Sequence, residues 1–74
     1  MLEVRTINSE LTLIGYFEKG KWLEISKHYD YTYDGKKNFW RVDTATHTIS
    51  SLNRTKAEAI KEARKWIKNN WRYI

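Results

Sequence analysis

The 74-residue sequence contains no cysteine, no proline and only three glycines. Without cysteine, neither disulfide bonds nor thiolate metal sites can stabilise the fold, and a reducing compartment such as the cytoplasm suits this composition. No apolar run approaches the roughly 20 residues that a membrane-spanning helix needs, and residues 1–10 lack the apolar core of a signal peptide. We therefore expect a cytoplasmic protein with no membrane contact.

Residues for catalysis and metal binding are also scarce. His28 and His47 are the only histidines, and nothing in the sequence fixes their separation for acid–base cleavage of RNA. His28 and Asp30 would offer two metal ligands from one strand face, but the sequence shows no third ligand. No glycine-rich phosphate loop occurs, because Gly20 and Gly35 are turn residues. We expect a protein that is not an enzyme and that binds neither a metal nor a cofactor.

The chain is long enough for a single domain, residues 1–74. A domain of this size buries only about 60% of the surface that its unfolded chain exposes. The sequence has four tryptophans and five tyrosines, and each such ring buries roughly 150–250 Å². We therefore expect aromatic packing to supply much of the stability.

The first two-thirds of the chain have the composition of β-strands. β-Branched and aromatic residues are frequent there, and Lys19-Gly20 and Asp34-Gly35 separate the runs. Asp-Gly is a strong hairpin signal, because both central residues of a type I′ turn have positive φ. The predicted strands are residues 11–18, 22–33 and 38–44, with residues 1–7 as a candidate fourth strand at the sheet edge.

The alternation of side chains along these strands predicts which residues share a face. Two-residue turns at Lys19-Gly20 and Asp34-Gly35 predict three cross-strand pairs: Ile14 with Ile25, Tyr16 with Leu23, and Tyr29 with Trp40. These residues lie on the same face as Tyr31 and Tyr33. Because this face is the more apolar one, we expect the tyrosines to pack in the core. A bulge near Lys27 would reverse the assignment.

The last third of the chain has the period of a helix. Thr55 and Glu58 form a capping-box pattern, in which each side chain bonds to a backbone N–H near the other residue. Alanines and long charged residues follow, which favour a helix over residues 56–69. Its apolar stripe is Ile60, Ala63, Ile67, Trp71 and Ile74. The predicted fold is α+β, an antiparallel sheet of three or four strands with one C-terminal helix packed on one face.

Positive charge is concentrated in this helical segment. Residues 1–52 hold seven basic and seven acidic residues, whereas residues 53–74 hold seven basic residues and two acidic ones, so the net charge of +5 belongs to the last segment. One side of the predicted helix carries a row of cations: Lys61, Arg64, Lys65, Lys68 and Arg72. Cations near a helix C-terminus also favour helix stability and solubility. As a functional site, the row predicts contact with DNA or RNA phosphates.

The junction between sheet and helix resembles a known family. Thr55, Lys56, Glu58 and Ala59 match the Thr-Lys-x-Glu-Ala pattern of the arm-binding amino-terminal domain of tyrosine-type phage integrases. The resemblance implies a module of phages or mobile elements, in which a three-stranded sheet enters the DNA major groove and a helix packs behind it. The family's apolar residue is Leu52 here, one position early, and the corresponding sheet face is predicted to hold Glu24 and Asp30.

The second sheet face suggests a different partner. It is predicted to carry Phe17, Trp22, Phe39 and Arg41, which are residue types that dominate binding hot spots. Acidic residues on the same face would repel phosphates, so this face favours a protein partner. Cover from residues 1–10 would instead make these aromatics part of the fold. The leading hypothesis is nucleic-acid binding through the helix, and the alternative is an inhibitor or adaptor that docks on a host protein.

Overall fold

The structure, a computed structural model, describes residues 1–30 and 37–72. Within these residues the elements are β1 (Glu3–Asn8), β2 (Leu11–Tyr16), β3 (Lys21–Asp30), β4 (Lys37–Asp43), β5 (Thr48–Asn53) and α1 (Lys56–Asn70). The strands pair antiparallel in chain order, and α1 packs on one face of the sheet. The predicted class, α+β with a C-terminal helix on an antiparallel sheet, is therefore confirmed.

The predicted number of strands is wrong, because β5 adds a fifth. Its sequence, TISSLN, contains two serines and no regular alternation, so its strand propensity is weak. Two irregularities also interrupt its register with β4. The buried Asn53 holds this strand in place, because its Nδ2 donates hydrogen bonds to the Trp40 carbonyl oxygen (3.1 Å) and to Ser50 Oγ (2.9 Å).

The candidate edge strand at the N-terminus is present as β1. The turn that follows it is closed by Asn8, whose Oδ1 accepts a hydrogen bond from the Glu10 backbone N–H at 2.8 Å. β1 lies beside β2 and extends the sheet. Residues 1–10 therefore widen the sheet, and the Arg5 side chain supplies part of the expected cover of the second face, because it lies over the Phe17 ring.

The register of the first hairpin differs from the prediction by two residues. The observed partners are Tyr16 with Lys21, Ile14 with Leu23, and Thr12 with Ile25. The connection is a 3₁₀ turn over Phe17–Lys19, which Gly20 ends in a left-handed conformation with φ 68°, and not a two-residue turn. Because a shift of two residues preserves side-chain alternation, each side chain keeps its predicted face.

The second hairpin is displaced in the same way. Tyr29 lies opposite Asn38, and Trp40 lies opposite Lys27, so the predicted Tyr29–Trp40 pair is wrong although both residues share a face. No bulge interrupts the pairing of β3 with β4 at Lys27. The predicted Asp34-Gly35 turn, with Tyr31 and Tyr33, lies outside the described residues.

The helix starts where the capping pattern predicts. Thr55 Oγ1 accepts a hydrogen bond from the Glu58 backbone N–H at 3.1 Å. The Glu58 carboxylate accepts in return from the Arg54 N–H at 2.9 Å, one residue before the cap. Ala63 and Ile67 of the predicted apolar stripe are buried, together with Ala59. The remaining helical contacts with the core come from the partly buried Ile60, Trp66 and Trp71.

The core lies between α1 and one face of the sheet. The buried residues of the sheet are Ile14, Leu23, Ile25, Trp40 and Val42, together with Thr12 and Asn53. All strands except the edge strand β1 share substantial contacts with α1. This arrangement leaves the other side of the sheet and the outer side of the helix as the two large surfaces.

Candidate functional sites

The first candidate site is the cation row on the outer side of α1. Its members are Lys61, Arg64, Lys65, Lys68 and Arg72, and all five are exposed. At 100° per residue they lie on the side of the helix opposite Ala59 and Ala63, which are buried. The amphipathic pattern that buries one side of the helix therefore also aligns the cations on the other side.

Four of the five cations in this row form no ion pair with residues 1–30 or 37–72: Lys61, Arg64, Lys65 and Lys68. The carboxylate of Glu58 is engaged at the helix N-terminus. Glu62 is half-buried and borders a cavity of about 160 Å³ beside Ile49 and Trp66. Lys65 of the row borders the same cavity. With five cations against the two carboxylates of the helix, the row keeps a net positive charge.

The second candidate site is the open face, the side of the sheet that α1 does not cover. Its members from β2, β3, β4 and the Phe17–Lys19 turn are Leu11, Leu13, Phe17, Trp22, Glu24, Ser26, His28, Phe39, Arg41 and Asp43. Apart from Gly15, none of the open-face residues in this part of the chain is fully buried. The structure therefore confirms the predicted grouping of Phe17, Trp22, Phe39 and Arg41 on one side of the sheet.

One end of the open face is an ordered stack of side chains. The Phe17 and Trp22 rings are 5.8 Å apart with an interplanar angle of 25°. The Arg5 guanidinium lies 3.9 Å from the centre of the Phe17 ring, on a cation–π contact. Glu3 accepts hydrogen bonds from Arg5 at 2.7 and 3.2 Å. This chain of contacts fixes one side of the Trp22 ring.

Gly15 makes this stack possible. It lies opposite Trp22 in the β2–β3 pair. A Cβ atom at position 15 would lie 2.5 Å from Trp22 Cα and closer still to the Lys21 carbonyl oxygen. Only glycine therefore lets β2 and β3 approach so closely beneath the tryptophan.

The other end of the open face has a separate aromatic pair. The His28 and Phe39 rings stack with centroids 5.4 Å apart, and His28 Nε2 lies 2.9 Å from Ser26 Oγ. His28 lies six positions after Trp22 along β3, which corresponds to roughly 20 Å in an extended strand. The four predicted residues therefore do not form one cluster, because Phe17 and Trp22 lie at one end and Phe39 at the other.

Polar groups lie between the two aromatic pairs. Arg41 Nε donates to Asp43 Oδ2 at 3.0 Å, and Thr48 Oγ1 donates to Asp43 Oδ1 at 2.6 Å. Both carboxylate oxygens of Asp43 are therefore engaged.

At the rim near Phe17, a hydrogen bond from the Met1 ammonium, 2.8 Å from Glu18 Oε1, lowers the pKa of that carboxyl group.

Two open cavities border the Trp22 end of the open face. One, of about 310 Å³, is lined by Gly20, Trp22, Glu24 and Ala45. The other, of about 290 Å³, is lined by Glu24, Arg41, Asp43, Thr44, Thr46, His47 and Thr48. Glu24 borders both cavities and so lies between them.

Sequence reasoning missed three residues that shape this site: Glu3, Arg5 and Gly15. The alternation of β1 contained a usable signal, since Glu3 and Arg5 are two residues apart and face the same side. Gly15 was the one glycine without a turn role, which is a recognised sign of close backbone approach within a strand.

Neither a metal-ligand cluster nor a membrane-spanning helix is present in the part of the chain described. No group of three His, Asp or Glu side chains converges there. The described helix is too short and too polar to cross a bilayer.

Comparisons of this chain with protein-family models, with curated proteins and with solved structures found no match. The resemblance to the integrase arm-binding domain therefore stays a prediction. In this structure Thr55 and Glu58 cap the helix, and the Lys56 Nζ lies 3.5 Å from Thr6 Oγ1 on β1. The residues that carry the resemblance thus have clear roles in the fold.

Proposed function

We propose that this protein is a non-enzymatic binding module, of the kind that phages and mobile elements carry, which binds the backbone of DNA or RNA through the cation row. The observation that carries the proposal is the set of exposed lysines and arginines on the outer side of α1, opposite the core. Because α1 is held on the sheet, it presents these charges at fixed spacing. Binding an anion therefore costs little backbone conformational entropy.

The energy of such binding comes mainly from counterion release. Each lysine or arginine that neutralises a phosphate releases ions condensed on the nucleic acid, so affinity falls as salt rises. Phosphate contacts carry no base information. The proposed activity is therefore independent of sequence and strongly dependent on salt.

The test is the salt dependence of binding by the double variant Lys61→Gln/Lys65→Gln. Both side chains are exposed and face away from the core, so the variant should fold normally. If both lysines contact phosphates, the slope of log affinity against log salt should decrease by roughly 1.8 for duplex DNA, or about 1.4 for a single strand. Fluorescence anisotropy with labelled DNA and RNA of unrelated sequences measures the slope.

The matched control is Lys19→Gln/Lys27→Gln, which removes the same charge away from the cation row. Lys19 is exposed at the β2–β3 connection, and Lys27 lies over the Tyr29 ring at 5.5 Å. This variant should keep the wild-type slope to within a few tenths. Equal effects of the two variants, or no affinity of the wild type for DNA or RNA at low salt, would refute the proposal.

A second candidate function is favoured by the exposure of Trp22. This residue keeps 43% of its surface exposed while Phe17 and Gly15 hold it in position. An ordered and exposed tryptophan is a typical centre of a protein-binding hot spot. On this hypothesis the protein is an inhibitor or adaptor that docks on a host protein through the open face. Capture of partners from lysate with and without nuclease distinguishes this function from nucleic-acid binding.

A further inference from the structure

The Trp22 end of the open face has the parts of a ligand site. Phe17 stacks on the tryptophan ring, and the Arg5 guanidinium in turn covers Phe17. The ring is therefore ordered before any partner arrives, and 43% of the residue remains exposed. A cavity of about 310 Å³ adjoins it, with Glu24 on its lining.

The electrostatics of this end favour a cation. Glu24 is exposed, and its carboxylate forms neither a hydrogen bond nor an ion pair within the two described stretches of the chain. Its neighbour Asp43, directly opposite on β4, is already bound by Arg41 and Thr48. The charges of Asp43 and Arg41 cancel, so these three residues together have a net charge of about −1, which lies on the Glu24 carboxylate beside Trp22.

We propose that this end of the open face binds an arginine or lysine side chain of a partner protein. The cation would lie over the indole of Trp22 and donate a hydrogen bond to the Glu24 carboxylate. Tryptophan is the aromatic residue that attracts cations most strongly, and a carboxylate acceptor makes the hydrogen bond charge-assisted. The inference rests on the second candidate function, and it names the chemistry of the partner.

The second cavity gives the rest of the partner a place to bind. It measures about 290 Å³, continues from Glu24, and is lined in part by Thr44, Thr46 and Thr48. The Thr44 and Thr46 hydroxyls are already hydrogen-bonded within the turn, whereas Thr48 Oγ1, which donates to Asp43, can still accept a hydrogen bond from a peptide N–H. A basic residue at Trp22 followed by a polar extended segment would fit this surface, whereas a phosphate would meet the unpaired charge of Glu24.

The experiment uses two tripeptides, Gly-Arg-Gly and Gly-citrulline-Gly, which differ in charge but hardly in shape. Titration is followed by the NMR signal of the Trp22 indole N–H in the 74-residue protein. We expect a saturable shift with the arginine peptide and none with the citrulline peptide. Glu24→Gln should weaken arginine binding about twofold to fivefold, as for an exposed ion pair.

The matched control is Glu62→Gln, which makes the same charge change on α1. It should leave the affinity for the arginine peptide unchanged. The inference is overturned if citrulline shifts the signal as strongly as arginine, if the two glutamate variants weaken binding equally, or if oligothymidylate moves the Trp22 signal and the arginine peptide does not.

Failure of this inference is distinguishable from failure of the docking function. A host protein whose binding is lost in Trp22→Leu but unchanged in Glu24→Gln would leave the docking function standing and overturn the cationic site. Because Glu24 is exposed and makes no described contact that the fold needs, the Glu24→Gln result stands even if Trp22→Leu unfolds.

Discussion

Gly15 illustrates how one residue connects the fold to a surface. It has no turn role and no positive φ, yet the space above its Cα is filled by the backbone of β3 at Lys21 and Trp22. A side chain there would push the two strands apart at the point where Trp22 is held. The exposed tryptophan of the open face therefore depends on a glycine in the neighbouring strand.

Gly15→Ala tests this dependence. The added methyl group would meet backbone atoms that cannot rotate away, so we expect a loss of about 3 kcal/mol in the free energy of unfolding, at the upper end of the range for overpacking. Urea denaturation measures the loss. The control is Ala45→Gly, in the exposed β4–β5 turn, which should have a small effect. An unchanged denaturation midpoint for Gly15→Ala would contradict the close approach of β2 and β3.

At the scale of elements, α1 is the part whose local signals agree best. Thr55 receives the hydrogen bond from the Glu58 N–H that the sequence pattern predicts. Thr55→Ala should therefore destabilise the protein by about 1 kcal/mol, because the acceptor for an otherwise unpaired N–H is lost. Thr55→Ser is the control and should retain most of the stability. Equal midpoints for Thr55→Ala and the wild type in thermal unfolding would show that the cap contributes nothing.

The elements that sequence reasoning predicted and those it missed differ in the range of the interactions that form them. The helix start and the faces of β2, β3 and β4 depend on local spacing, and both were predicted correctly. β5 depends on a distant contact, since Asn53 holds its irregular chain to Trp40 of β4, 13 residues away. Its own sequence carries little strand signal, so no local pattern predicts it.

The predicted registers of the two hairpins were wrong for a related reason. A register depends on the length of the connection, and the Phe17–Lys19 turn adds residues to a loop that Lys19-Gly20 was expected to close alone. Because the register error is an even number of residues, the predicted face of each side chain is still correct. The candidate surfaces were therefore predicted correctly as faces, whereas the contacts within them, such as Arg5 on Phe17, required the structure.

At the scale of the whole molecule, the core separates two surfaces of different character. The cation row lies outside α1, and the open face lies on the far side of the sheet. The net charge of +5 belongs to the segment that contains the helix, while the Trp22 end of the open face carries an unpaired carboxylate. A single partner of one charge cannot suit both, so each surface is best tested with its own ligand.

The stability of the whole domain depends on Trp40. Substitution of this residue also tests which face of the sheet forms the core and which face binds a partner. Trp40 is 8% exposed and lies in the core, whereas Trp22 is 43% exposed. Trp40→Ala should cost about 3–5 kcal/mol, the usual range for removing a buried tryptophan. Folded proteins have only about 5–15 kcal/mol in total, and a chain of this size is expected near the lower limit, so the variant should be largely unfolded.

Trp22→Ala is the matched control for this loss. It removes the same side chain from the open face, where much of the ring already contacts water, and should cost less than half as much. Urea denaturation followed by far-ultraviolet circular dichroism measures both variants. If Trp40→Ala kept the wild-type midpoint and lost only the ability to bind a partner, the side of the sheet beneath α1 would be the binding surface and the assignment of the two faces would be reversed.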